Sequence, residues 1–196
     1  MQDVMLDLET FGNRPGSVIV SIGAVKMDLE RGLVGEGFYR AIDLADAQSQ
    51  GLTMDAATVK WWLGQSDEAR SAICNPVEPV RLGWALADFT NFIGDDARVW
   101  GNGADFDNAM LAAAYAACKA DPPWRHYNSR CYRTMKSLFP DVKLERAGTH
   151  HNALDDAISQ ADHLVRIMKA LRAAASARAD LIEIDIDEAQ LRTEVA

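Results

Sequence analysis

Apolar and polar positions change their spacing several times along the chain, and each spacing predicts an element. Val4–Leu8 is a short β-rich run, Ser17–Met27 is rich in β-branched residues, and Gly35–Ile42 follows a turn near Leu29–Leu33. Together they predict three strands in an antiparallel meander. The segment ETFGNRPGS between the first two holds two glycines and a proline and predicts a loop. Asp55–Ile73 predicts helix, split near Gly64–Ser66. After Pro76 and Pro79, the apolar residues Val80, Leu82, Leu86, Phe89 and Ile93 recur close to helical spacing. Arg98–Trp100 predicts a short fourth strand, and Asp107–Lys119 an Ala-rich helix broken at Asp121–Trp124. Ser129–Leu138 predicts a further helix ending before Pro140. Asn152–Ala179 is one long helical pattern, with Asn152 placed to cap it. Three strands, helices, a strand and more helices, without a repeat or a linker, predict one α/β domain over residues 1–179. Residues 180–196 form an acidic tail whose pattern leaves strand, helix and disorder open.

Composition narrows the class. The 196 residues are 48% hydrophobic and 25% charged, the profile of a globular chain able to bury its own core. No run approaches the ~20 apolar residues of a membrane span. The start, MQDVMLDLET, lacks a basic n-region, so no secretory signal is expected. Cys74, Cys118 and Cys131 are scattered and outside any CxxC spacing. A disulfide framework or zinc ribbon is therefore not expected, and a reducing cytoplasm is the default.

Charge changes the picture only once its distribution is read. The net charge of −9 argues against a nucleic-acid partner. Yet the tail alone holds six acids and one base, while residues 119–146 hold seven bases against three acids. That basic stretch is either a solvated face or a wall for phosphates.

Three segments carry candidate chemistry. Asp7 and Glu9 lie two apart on a predicted strand, so both carboxylates point to one face. Neighbouring acids repel and raise each other's pKa unless a cation joins them. A bare D-x-E is more often an exposed acidic strand end. In WGNGADFDNAML (100–111), Asp107 falls where a helix should begin, a place where an acid also serves as a cap. In HHNALDDAISQAD (150–162), His151 precedes Asp156 by five residues. The two converge only if His151 lies before the helix, with Asn152 as N-cap. Asp105, Asp155 and His150 are expected on the surface.

The order of these segments is more telling than any one of them. D-x-E on the first strand, F-D opening a helix after a short strand, and H-x(4)-D at a late helix resemble the DnaQ-like 3′→5′ exonucleases. The match is to the branch with histidine in the third motif, DEDDh, and covers roughly residues 3–170. TVKWWLGQSDEAR (58–70) and YNSRCYRT (127–134) are similar to segments of the phage and bacterial branch that includes the T-even phage exonuclease A. The resemblance implies an RNase H-like fold: a mixed five-stranded sheet, its first three strands antiparallel, flanked by helices. A fifth strand then falls within 120–150, near Arg130–Thr134 or elsewhere. It implies that Asp7, Glu9, Asp107 and Asp156 hold two divalent cations, Mg²⁺ or Mn²⁺, and that His151 is the general base.

The same resemblance implies a substrate wall. Thr10 and Phe11 would touch the 3′-terminal nucleotide, although Phe11 fits equally as core. Trp61 and Trp62 cannot both face one side of a helix; one is core, and Trp62 is taken to stack on a base. Asn102 would fix the turn before Asp107. Arg130 and Arg133, three apart, would present one helical face to phosphates. The implied partner is single-stranded DNA or RNA, or a 3′ overhang, released as nucleoside monophosphates, with the sugar undecided and a homodimer consistent with the family. Rivals on the same fold are a hydrolase of very short oligoribonucleotides and a proofreading subunit docked through the acidic tail. A small-molecule phosphodiesterase and an idle nucleic-acid-binding module are further rivals. The idle module would show lost ligand positions, and none of the five is lost.

Overall fold

The computed structural model describes the backbone of residues 2–194 and the side chains of residues 2–177. The meander forms as its pattern predicts. β1 (Gln2–Thr10), β2 (Ile19–Asp28) and β3 (Leu33–Ala41) pair antiparallel; β1 runs two residues beyond its apolar stretch at each end, while β2 and β3 are shifted from theirs by one or two residues. Two later strands, β4 (Ala97–Gly101) and β5 (Ser129–Cys131), add parallel to the other side of β1. The sheet order is β3-β2-β1-β4-β5, so β1 is central.

Local chemistry sets the helix ends. α1 (Leu44–Ser49), which no apolar pattern announces, starts where the Asp43 carboxylate accepts the N–H groups of Ala45 and Asp46. α2 (Ala56–Leu63) is capped by Asp55 and ends at Gly64; α3 (Asp67–Cys74) restarts from the Ser66 hydroxyl. This is the expected split. α4 (Leu82–Ile93) follows, then α5 (Ala109–Ala117), α6 (Tyr132–Leu138) and α7 (Ala153–Glu194). The acidic tail, 180–196, lies outside the residues whose side chains are described. Among the described residues no helix is long and apolar enough to cross a membrane.

The alternation of β1 divides the core in two. Val4, Leu6 and Leu8 point into the larger cluster, with Leu86 and Phe89 of α4 and Leu111 of α5. Met5 points the other way, into a smaller cluster with Val25, Trp100, Tyr132 and the α7 residues Ala157, Ala161 and Leu164. Continuing the alternation puts Asp7 and Glu9 on the α7 side. Directly beside Asp7 in the ladder is Gly23. A Cβ there would lie 2.1 Å from the Ala153 backbone. The missing side chain is what lets the first turn of α7 settle onto the sheet.

One expected element is corrected. Ser129–Leu138 is not a single helix: Ser129–Cys131 pairs with Val99–Gly101 as the fifth strand, and the helix begins at Tyr132. The unpaired edge of β4 offers these residues ladder hydrogen bonds that a helical turn would forgo, so tertiary pairing overrides the local pattern. Arg130 and Arg133 therefore do not share a helical face.

Candidate active site

The sheet and α7 bring the acids of the first and third segments together. Ligand atoms of Asp7, Glu9 and Asp156 all lie within 4.8 Å of one another. Asp156 is the fourth residue of α7, just after the turn that Gly23 admits. Asp107 joins them from a π-helical turn, Ala104–Asn108, that follows β4. It stands where Gly101 leaves space, since a Cβ on Gly101 would meet the Asp107 side chain at 3.0 Å. The helix expected from Asp107 itself begins two residues later, at Ala109.

Burial and mutual repulsion dominate the electrostatics. Burial, then the charges of Asp107 and Glu9, raise Asp7 well above the usual carboxylate range. Burial, then Asp156 and Asp107, push Glu9 up to about 8. Burial pushes Asp107 up to about 7, against the pull of the backbone N–H groups of Asn102 and Leu8 and of Arg133. Asp107 Oδ2 is buried with no hydrogen-bond partner. Four clustered carboxylates, Glu9, Asp107 and Asp156 buried and Asp7 half-buried, three of them resisting ionisation and one with an orphaned oxygen, are a donor set for a hard divalent cation. Asp7 and Glu9 also face Asp156 across the gap between β1 and α7, so a cation there has ligands from both.

His151 sits in the turn before α7, where Asn152 caps the helix by accepting the N–H groups of Leu154 and Asp155. Its backbone has a positive φ of 64° and its N–H donates to Asp156 Oδ2 at 3.0 Å. The imidazole packs edge-on against Trp61 and Trp62, with ring centroids 5.0 and 5.7 Å away, and lies over His150 at 3.8 Å. Burial and the neighbouring His150 lower its pKa, which favours a neutral ring able to take a proton.

The residues expected at the substrate wall divide. Trp62 is 2% exposed and its indole N–H donates to the Thr10 carbonyl, so it has no face open to a base; Trp61, 47% exposed, does. Phe11 is buried in the larger core cluster, and Thr10 is buried with its hydroxyl on the Gly12 carbonyl. Neither presents a free face. Arg130 spends Nη1 on the carbonyls of Tyr127 and Ser129. Arg133 instead reaches the Asn102 carbonyl, next to Asp107. Asn102 thus holds the turn from both sides.

The sequence matches the 3′-5′ exoribonuclease Rv2179c-like domain over residues 2–168. The chain belongs to that family. It is a 3′-5′ exonuclease. No curated protein matches it. Among solved structures, it resembles the nuclease domain of 3′hExo, a DEDDh family member bound to rAMP, with a TM-score of 0.57 and 10% identity. That match covers 86% of this chain and 92% of the other. Exonuclease I of E. coli in complex with a dA16 oligonucleotide gives 0.58 at 18% identity, over 88% of this chain but 43% of that one. A 3′-exonuclease in a structure of 3′-end-specific recognition of histone mRNA stem-loop gives 0.55 at 13%, over 86% and 82%. At these identities the likeness is one of fold: the mixed five-stranded sheet between helices.

Several residues that touch the carboxylate cluster lie outside the three motifs. Gln160 Nε2 donates to Asp7 Oδ1 at 2.7 Å. Its signal is position, one helical turn after Asp156 on the same face. Arg146 pairs with Asp156 Oδ1 from the loop before α7, for which no motif spacing exists. Asp155, expected to face away, accepts the Thr149 N–H at 2.7 Å and ties that loop down.

Proposed function

We propose that this exonuclease releases nucleoside monophosphates from the 3′ end of single-stranded nucleic acid or a 3′ overhang. RNA is the substrate class that the family description favours. In this reading Asp7, Glu9, Asp107 and Asp156 hold two divalent cations, Mg²⁺ or Mn²⁺, and residues 1–179 are the catalytic unit. Such cations supply charge neutralisation at the phosphate and a nucleophile at neutral pH. Hard carboxylate oxygens favour Mg²⁺ or Mn²⁺ over softer metals. The observation that carries the reading is the buried carboxylate cluster with its orphaned Asp107 oxygen.

The remaining roles belong to the chain itself. His151, inclined to be neutral and anchored through its N–H to Asp156, accepts the proton of the attacking water. Gln160 fixes the direction of the Asp7 carboxylate. The exposed face of Trp61, beside His151, is available to a base. The free cysteines fit a reducing cytoplasm.

The test uses 5′-labelled RNA and DNA of one sequence, with Mg²⁺, Mn²⁺ or EDTA. The expected result is a ladder shortening from the 3′ end, absent in EDTA and in Asp7→Asn. His151→Ala should lose about 10²–10⁴ of the rate, while calorimetry still detects Mn²⁺ binding. A folded wild-type protein that cleaves neither strand would overturn the function. An undiminished His151→Ala rate would overturn the assigned base.

A further inference from the structure

Two hollows, neither lined by the four carboxylates themselves, open on residues next to them, one at Tyr39 of β3, near Glu9, and one at Asn102 after β4, near Asp107. The first is lined by Tyr39, Asp67, Glu68 and Asn152, and so adjoins His151. The second, of ≈570 Å³, is lined by Asn102, Arg133, Lys136 and Lys143, with Val142 and Leu144 as its apolar wall. Asn102 belongs both to this hollow and to the turn that faces Asp107. We propose that the second hollow receives the nucleotides on the 5′ side of the bond being cut. Arg133, Lys136 and Lys143 meet their phosphates, and Val142 and Leu144 lie against a base or sugar. This rests on reading the carboxylate cluster as the exonuclease centre.

The argument is one of charge and connectivity. A scissile phosphate at the carboxylates divides the strand: one nucleotide leaves on one side, and the rest extends on the other. The extending part carries a negative charge at every step. Asp67 and Glu68 repel it from the first hollow, while three cations draw it into the second. Arg133 and Lys136 are three apart on α6, hence on one face. Lys143 donates one hydrogen to the Pro140 carbonyl at 2.8 Å and keeps two for a ligand. Among the described residues none of the three is in an ion pair. The wall is also fixed in place. His163, buried in α7, donates from Nε2 to the Val142 carbonyl at 2.7 Å, and its Nδ1 accepts the Tyr132 hydroxyl at 2.6 Å. A hollow of this size, formed in advance and part apolar, suits a nucleotide better than a bare ion.

The experiment compares Lys136→Glu/Lys143→Glu with wild type on a dinucleotide and a ten-residue single strand of the same 3′ sequence. The read-out is the ratio of kcat/KM for the long strand to that for the dinucleotide, and its dependence on salt. The expected result is a ratio about tenfold lower, with the salt slope shallower by about 0.7 for each phosphate the variant no longer neutralises. Lys136→Arg/Lys143→Arg should keep the wild-type ratio, and fluorescence anisotropy of the labelled long strand should follow the same order. An unchanged ratio and slope would overturn the inference. So would an equal fall in Lys169→Glu, an exposed site on α7, because net charge alone would then explain it. Wild type that shortens neither substrate would instead overturn the exonuclease reading beneath it.

Discussion

Gln160 and Asp7 are 153 residues apart in sequence and joined by one 2.7 Å hydrogen bond. A carboxylate that must hold a cation needs its direction set, and residues that do this commonly matter 10–100-fold in metal affinity. Gln160→Ala should therefore raise the Mg²⁺ or Mn²⁺ concentration for half-maximal activity by about tenfold or more, with much of the rate regained at saturating metal. A metal titration of cleavage checks this; an unshifted midpoint would remove Gln160 from the site. Asp7, Glu9, Asp107, His151 and Asp156 are legible in the sequence, because charged groups at fixed spacing on predicted elements stand out. Gln160 and Arg146 are not, since a neutral amide and a loop arginine carry no such mark. Trp62 misleads, and Phe11 stays open between core and substrate, for one physical reason. An aromatic at a helix or strand edge reads alike whether it packs inward or waits for a base, and burial alone separates the two.

Elements are legible where their period is long. The meander, the α2–α3 break at Gly64–Ser66 and the start of α7 after Asn152 all follow from local pattern and caps. β5 is hidden because three residues are too few to show a period, and its reason to exist is the open edge of β4. The loop between α6 and α7 gains its order from outside itself, through the Tyr132–His163–Val142 chain. Tyr132→Phe keeps the ring and leaves His163 Nδ1 buried without its partner. Such a loss costs about 1–3 kcal/mol. Urea denaturation should show a lower midpoint at an unchanged slope, and an unchanged midpoint would mean that the chain does not hold the loop.

For the molecule as a whole, the buried acids make stability depend on pH and on metal together. Glu9 at about 8, Asp107 at about 7 and a raised Asp7 lie above the ~4 of carboxylates in an unfolded chain. The folded state keeps protons that the unfolded chain has already released. Its stability without metal is therefore greatest below about pH 4 as far as these groups are concerned, and falls as pH rises toward about 8. Cation binding needs the same groups deprotonated, so it removes the penalty where the penalty is largest. Thermal melts should show Mn²⁺ raising Tm more at about pH 8 than at about pH 5. Equal shifts at both would contradict a carboxylate site. The formal charge of −9 reads differently in this light. Part of it is the carboxylate cluster proposed to hold cations and part belongs to the tail, while Arg133, Lys136 and Lys143 line a separate hollow.

Gly23 carries no charge, moves no proton and belongs to none of the motifs. It nevertheless sets how near α7 comes to β1, because even a methyl group there would collide with the Ala153 backbone. A relative with alanine at this position would keep every acid and the histidine in its sequence while holding Asp156 away from Asp7. Inheritance of the motifs is thus not inheritance of the reaction. In this lineage, activity can decay through a neutral-looking change that leaves the catalytic signature untouched, and the residue to inspect first is the one with nothing to show.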